Sequence, residues 1–158
     1  MSDDILTDDA VDSHPPEGFK PLVRGGPYFT HLGPLFSRRD EENMVVIGLR
    51  VAKKHTNMLG ITHGGMLVTF ADGALGINLS IARNPPQSMV SVHLSSDFLD
   101  SARPGDWLEA HVRIRKQGTR LSFADCELKV GDKTILRCNG VFAVIGRPGT
   151  PLPSDNDG

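Results

Sequence analysis

The sequence predicts an α+β domain in which an antiparallel sheet wraps around one long helix, and three observations predict it. From Gly64 to about Ala82, the residues Met66, Leu67, Phe70, Ala74, Leu75, Ile77 and Leu79 recur at helical intervals with few charges between them. Later stretches alternate apolar and polar at period two, most cleanly in Trp107–Arg115. There Leu108, Ala110, Val112 and Ile114 oppose Glu109, His111, Arg113 and Arg115. The turns that follow are too short for crossover connections, so the last three strands form an antiparallel meander. A nearly all-apolar helix beside such a sheet must be covered by it.

The elements follow in order. Residues 1–16 are acidic and polar, with Asp3, Asp4, Asp8 and Asp9 ahead of Pro15 and Pro16. Residues 147–158 carry Pro148, Pro151 and Pro153 among Gly, Ser, Asn and Asp. Neither end can bury much apolar surface, so both are expected to be flexible tails around a single domain at 17–146. Phe19, Leu22 and Val23 suggest a short helical turn, broken by Gly25, Gly26 and Pro27, and Tyr28–Phe36 is expected to enter a first strand. Met44–Ala52 reads as a strand, with Val45, Ile47, Leu49 and Val51 alternating against Val46, Gly48 and Arg50. A loop over 53–62 leads into the long helix, which Asn84, Pro85 and Pro86 stop. Strands are then expected at Met89–Phe98, Trp107–Arg115, Leu121–Val130 and Thr134–Ile145. Gln117-Gly118-Thr119 and Gly131-Asp132 supply the turns.

Composition narrows the function. A formal net charge of -2 over 158 residues lacks the basic excess of a nucleic-acid binder. The N-terminus has no basic segment followed by an apolar one, so no signal peptide is expected, and no apolar run reads as long enough to span a membrane. A cytoplasmic protein is the expectation. Cys126 and Cys138 form no CxxC pair and have no histidine at zinc-finger spacing, so both are expected as small buried thiols. No His, Asp and Glu set suggests a metal, and no cofactor is expected. His55, His93 and His111 sit in no supporting pattern and read as solvent-facing or structural.

The chemistry concentrates at Asn57-Met-Leu-Gly60-Ile-Thr-His63-Gly64-Gly65 through Asp72. Each glycine inside a helix costs roughly 1 kcal/mol against alanine. Gly73 and Gly76 read as close helix–sheet packing. Gly64 and Gly65 open the helix, where unpaired backbone N–H groups and a partial positive charge meet no side chain. That is the physics of an oxyanion hole, although a plain glycine-rich helix start would look the same. Asp72 lies two turns in, among Phe70, Ala71, Gly73, Ala74 and Leu75. A carboxylate there is costly to bury unless paired or used. It reads equally as a base or nucleophile and as a group facing a water-filled gap.

Geometry constrains the pair. Gly64 and Asp72 are eight residues apart, roughly 12 Å along a helix. A reacting carbonyl must lie about 3 Å from its oxyanion donor and within reach of the attacking group. One straight helix cannot readily bring both to one carbon, whereas two antiparallel copies can. If both residues act, the protein is at least a dimer.

The stretch Asn57…Gly60…His63-Gly64-Gly65…Asp72, followed by Val90-Ser91-Val92 and a turn at Pro104-Gly105-Asp106, resembles the PaaI-like hotdog-fold acyl-CoA thioesterases over about residues 40–146. The resemblance implies a hotdog fold, assembled as a homodimer or homotetramer, that hydrolyses acyl-CoA to free acid and CoA. It implies that Gly64 binds the thioester oxygen, Asn57 and His63 orient that loop and polarise the carbonyl, Asp72 attacks or activates water, and Ser91 positions the water. CoA phosphates call for a cationic rim, for which Arg113, Arg115, Lys116 and Arg120 around one hairpin are the candidates; a merely solvated hairpin reads as well. Two other classes compete: a hotdog hydratase or dehydratase, and a non-catalytic acyl-CoA-binding protein.

Overall fold

The computed structural model describes residues 12–146. The expected tails lie largely outside these residues, but Asp12–Pro16 are described, and the His14 carbonyl accepts a hydrogen bond from the Arg50 guanidinium at 2.9 Å. The strands are β1 (Lys20–Pro21), β2 (Phe36–Arg39), β3 (Val45–Arg50), β4 (Met89–Phe98), β5 (Trp107–Gln117), β6 (Leu121–Val130) and β7 (Lys133–Val144). The helices are α1 (Gly26–Thr30) and α2 (Gly64–Ile81), with a single 3₁₀ turn at Lys53–His55. All seven strands form one antiparallel sheet in the order β1-β2-β3-β5-β6-β7-β4, and α2 packs across the strands from β3 to β4. This is the hotdog arrangement that the sequence predicts.

Period-two patterning produces the core. Leu108, Ala110 and Val112 on β5, Ala124, Cys126 and Leu128 on β6, and Leu136, Cys138 and Phe142 on β7 are buried together with Phe70, Ala74, Leu75 and Leu79 of α2. Cys126 and Cys138 stand opposite one another on β6 and β7, buried and unbridged. Burial pushes both thiols above the usual range; the Cys138 thiol adds to this at Cys126, and the charges of Asp72 and Asp125 add to it at Cys138 against a lowering hydrogen bond with Ser96. Asn78 is a buried amide that the helical pattern does not single out. Its side chain accepts from Val45 N–H at 2.9 Å and donates to the Val45 carbonyl at 2.9 Å, which fastens the start of β3 to α2.

Several expectations need correction. Residues 19–23 form no helical turn: Lys20 and Pro21 pair with Ser37 and Phe36 as β1. The helix comes instead where a break was expected. Gly25 takes φ 112 to turn the chain, and Pro27 sits in the first turn of α1, where a missing N–H costs nothing. The first substantial strand is Phe36–Arg39 rather than one over 28–36. Gly73 packs not against the sheet but beneath α1, where a Cβ would lie 2.2 Å from the Phe29 ring; Gly76 does face the sheet, 3.4 Å from Phe142. The eighteen residues of α2 also reach the length and apolarity of a short membrane span, contrary to the sequence reading, but half of them are buried as the core helix of this sheet.

Candidate active site

The loop from β3 into α2 is built from hydrogen bonds both within itself and to distant segments. Val51 is tied to the turn before β5 by Val51 N–H to the Asp106 carbonyl and Gly105 N–H to the Val51 carbonyl, both 2.8 Å. His55 is buried. Its Nδ1 accepts the Ala52 N–H at 2.9 Å, so the neutral ring carries its proton on Nε2, 2.8 Å from the Leu32 carbonyl. Its role is structural, as expected. Thr56 and Thr62 then bridge, closing a small reversal over 57–61. Within it Asn57 N–H donates to the Ile61 carbonyl, Gly60 N–H to the Asn57 carbonyl, and Leu59 N–H to Asn57 Oδ1 at 2.9 Å. Asn57 thus shapes the loop through its own turn; the hydrogen bonds of the described residues do not join it to His63. Met58 and Leu59 stand exposed at the tip.

His63 is the N-cap of α2, with extended backbone and with Nδ1 accepting the Gly65 N–H at 2.9 Å. A ring accepting at Nδ1 has its remaining N–H at Nε2, turned to solvent. His63 has therefore taken the Gly65 donor, while the Gly64 N–H finds no acceptor among the described residues. Space at Gly64 is bounded by the half-exposed Phe98 ring at the end of β4, whose edge would lie 3.1 Å from an added Cβ. An unpaired amide donor at a helix N-terminus, beside an exposed imidazole N–H and under an aromatic edge, can grip a carbonyl oxygen.

Two turns further on, Asp72 is half-buried, and its Oδ1 accepts a hydrogen bond from Ser91 Oγ. The pairing of β4 with β7 slips between Ser91 and His93, and such a bulge re-aims the side chains beside it. The hydroxyl thus meets the carboxylate. Positions 65, 69, 72 and 76 are spaced by four, three and four residues and so share one side of α2. They are Gly65, Thr69, Asp72 and Gly76, none fully buried. The carboxylate therefore sits in a strip without bulk, roughly 12 Å along the helix from the Gly64 N–H of the same chain.

The four basic candidates do not form one cluster. Arg113 and Arg115 line a groove on the outer face of the sheet together with Asp125, Glu127 and Arg137, and Arg115 is paired with Asp125. Arg120 lies in a different groove beside the C-terminal end of α2, and Lys116 is exposed near the end of β5, opposite Phe123. His93 is exposed on β4, and His111 bonds Glu109 at 2.9 Å. That bond is the main reason the Glu109 carboxyl sits below its ordinary range, with Trp107 and Arg38 adding to it against the opposing effect of burial. Among the described residues no group of three or more His, Cys, Asp or Glu side chains is arranged to hold a metal ion.

The family model of the thioesterase superfamily matches residues 59–136, from the loop tip through α2 into β7. A Pseudomonas aeruginosa protein named "Putative esterase PA0474" is 46% identical over 127 residues, covering 80% of this chain and 95% of that one. Mouse acyl-coenzyme A thioesterase 13 is 30% identical over 84 residues, 53% of this chain and 59% of its own. Among solved structures, the E. coli PaaI protein of the phenylacetic acid degradation operon superposes with a TM-score of 0.60 at 27% identity, over 65% of this chain and 72% of that one. The P. aeruginosa protein PA5202 shares the fold at a TM-score of 0.67 and 21% identity, over 77% of this chain and 96% of that one. A relative that shares nearly half its residues along almost its whole length settles the lineage: this chain belongs to the thioesterase superfamily, as a PaaI-like thioester hydrolase of the hotdog fold.

Proposed function

We propose that the protein hydrolyses acyl-CoA thioesters to free acid and CoA, as a dimer or a dimer of dimers whose active sites are shared between protomers. One observation carries this reading: the unpaired Gly64 N–H and Asp72, which Ser91 of β4 bonds, lie on one helix, too far apart to act on a single carbon. Two copies of α2 lying antiparallel, in contact along the strip of Gly65, Thr69 and Asp72, would set Gly64 of one protomer against the partner's Asp72. The small side chains permit the close approach that this requires.

In that arrangement the thioester oxygen accepts from the Gly64 N–H and from His63 Nε2–H, so the carbonyl carbon becomes more electrophilic and its developing negative charge is met by fixed donors. The partner's Asp72 takes a proton from a water held by Ser91 while the water oxygen bonds to the carbonyl carbon. Direct attack by the carboxylate, followed by hydrolysis of the resulting anhydride, uses the same placement. Collapse breaks the C–S bond, and the CoA thiolate leaves and is protonated. The acyl-coenzyme A thioesterase named among the relatives supports this choice of substrate. No metal or cofactor is required by these steps, since CoA enters as part of the substrate.

A thiol-release screen across saturated, unsaturated and aromatic acyl-CoAs tests the proposal. Asp72→Asn and Asp72→Ala are expected to keep their circular dichroism and lose about 10²-fold or more in kcat. Full turnover in Asp72→Ala would remove this carboxylate from the reaction. Hydration of an enoyl thioester without thiol release would favour a hydratase, and binding without turnover a non-catalytic binder.

A further inference from the structure

Phe98 is exposed where its place in the fold calls for burial. It stands directly opposite Leu136 in the pairing of β4 with β7, and residues paired in this way share a face of the sheet. Leu136 is fully buried in the core, yet the Phe98 ring is 56% exposed. Edge position alone does not account for this, because Leu94, opposite Gly140 on the same strand and face, is packed against the core. The cause lies in the helix. α2 opens with Gly64 and Gly65, and its first bulky side chain is the buried Met66. At its first two positions the helix has nothing to lay over the end of β4. The Phe98 ring reaches into that space, with its edge 3.1 Å from where a Gly64 Cβ would stand.

The ring and its neighbour, the Gly64 N–H, call for different partners. Apolar surface is costly to leave in water, and an amide is costly to bury without an acceptor. Water would satisfy the amide and leave the ring wet. An apolar side chain from a partner protomer would cover the ring and leave the amide unpaired. A carbonyl carried on an apolar chain satisfies both, with its oxygen on the amide and its chain on the ring.

A thioester carbonyl carbon has two substituents, and the chemistry of the wall chooses between them. The sulfur side leads to pantetheine, which carries polar amides, whereas the acyl side can be wholly apolar. From Phe98 the same face of β4 continues through Ser96 to Leu94, both half-buried, and none of the three carries charge. An acyl group that ends in a carboxylate would be drawn out of water against this row with no cation on it to compensate. An alkyl or aryl group has only apolar surface to lose there.

Resting on the hydrolase reading, which puts the thioester oxygen on Gly64, we infer that Phe98 determines acyl specificity. Its ring is the wall on which the acyl arm packs, and it selects uncharged apolar groups, aryl or medium-length alkyl, over acetyl and over acyl groups that end in a carboxylate. The same protomer thus provides the oxygen's donor and the acyl wall, while its partner provides Asp72.

Kinetics with acetyl-, butyryl-, hexanoyl-, phenylacetyl- and succinyl-CoA decide the matter. In the unaltered protein, kcat/KM for butyryl-CoA is expected to exceed that for succinyl-CoA by about tenfold or more. Phe98→Ala is expected to lower kcat/KM for the hexanoyl and phenylacetyl esters about tenfold, chiefly through KM, and that for the acetyl ester by less than about threefold. Phe98→Leu keeps an apolar wall and should recover most of the loss. Val23→Ala, at an exposed apolar residue ahead of α1, should leave the ratios between esters unchanged. An equal loss on every ester in Phe98→Ala, or succinyl-CoA turned over as well as butyryl-CoA, would overturn the assignment. Calorimetric titration with 2-oxopropyl-CoA and 2-oxoheptyl-CoA, thioethers that keep a ketone oxygen and resist hydrolysis, gives a second readout. The longer chain should bind the unaltered protein about tenfold more tightly, with the difference shrinking in Phe98→Ala. Equal binding of the two by the unaltered protein refutes the wall, even where Phe98→Ala does not fold. If no ester is hydrolysed, the hydrolase reading falls while the titration still judges Phe98.

Discussion

At position 63 the side chain that caps α2 also stands beside the N–H proposed to hold the substrate oxygen, so the cap and the proposed catalytic role would meet in one ring. They can be separated. His63→Ala removes a cap and should cost about 1 kcal/mol in thermal or denaturant unfolding. His63→Asn restores a capping oxygen and should recover most of that stability, while turnover stays low because no imidazole Nε2–H remains to face the carbonyl. Equal recovery of both would make the residue a cap only. The placement of residues on α2 was legible beforehand, though not what they do. Asp72 was conspicuous because a charge in an apolar helix is costly, and Gly64 because a helix opens there. Ser91 was harder, since its meeting with Asp72 depends on a bulge in β4 that one strand's sequence does not announce. Asn78 was missed although it left a signal: a lone amide deep in the apolar face, four residues after Ala74, whose carbonyl it also bonds. The cationic rim was misjudged because closeness in sequence stood in for closeness in space. Alternation along β5 already placed Arg113 and Arg115 beside Glu109 and His111, on the outer face and apart from Arg120.

Between elements, the contact of α1 with α2 depends on Gly73. A methyl group there would lie 2.2 Å from Phe29 Cε2, whose ring stacks with Phe70 at 6.3 Å between centroids. Gly73→Ala is therefore expected to lower stability by about 1–3 kcal/mol by displacing α1. Gly76→Ala meets Phe142 at ordinary contact distance and should be neutral or stabilising by up to about 1 kcal/mol, since alanine favours the helix. Thermal melts of the two variants give opposite signs if this packing is right, and matching signs would dismiss it. The long elements were readable because each repeats a period over ten or more residues. Residues 17–40 were not, because a two-residue strand such as β1 has no period of its own and exists through its partner. Phe19, read as part of a helical turn, instead meets the Trp107 ring edge-on at 5.0 Å between centroids.

For the molecule as a whole, a shared site predicts subunit complementation. Asp72→Ala and Gly64→Val proteins should each be inactive. Unfolded together in equal amounts and refolded, they would pair at random, and half the dimers would be hybrids with one intact site of two. About a quarter of normal activity should return, as twofold symmetry requires. No recovery, with hybrids demonstrated by mass spectrometry, would place each site within one chain. The same symmetry bears on β4. It ends the sheet, and among its ten residues Val90, Val92 and Phe98 are exposed. A margin of open backbone groups studded with apolar side chains invites any other extended chain to join it. On the proposed dimer, a protomer set loose by dilution would be exposed to clumping as well as idle, and the protein should keep longest in concentrated stocks, where each copy soon finds another.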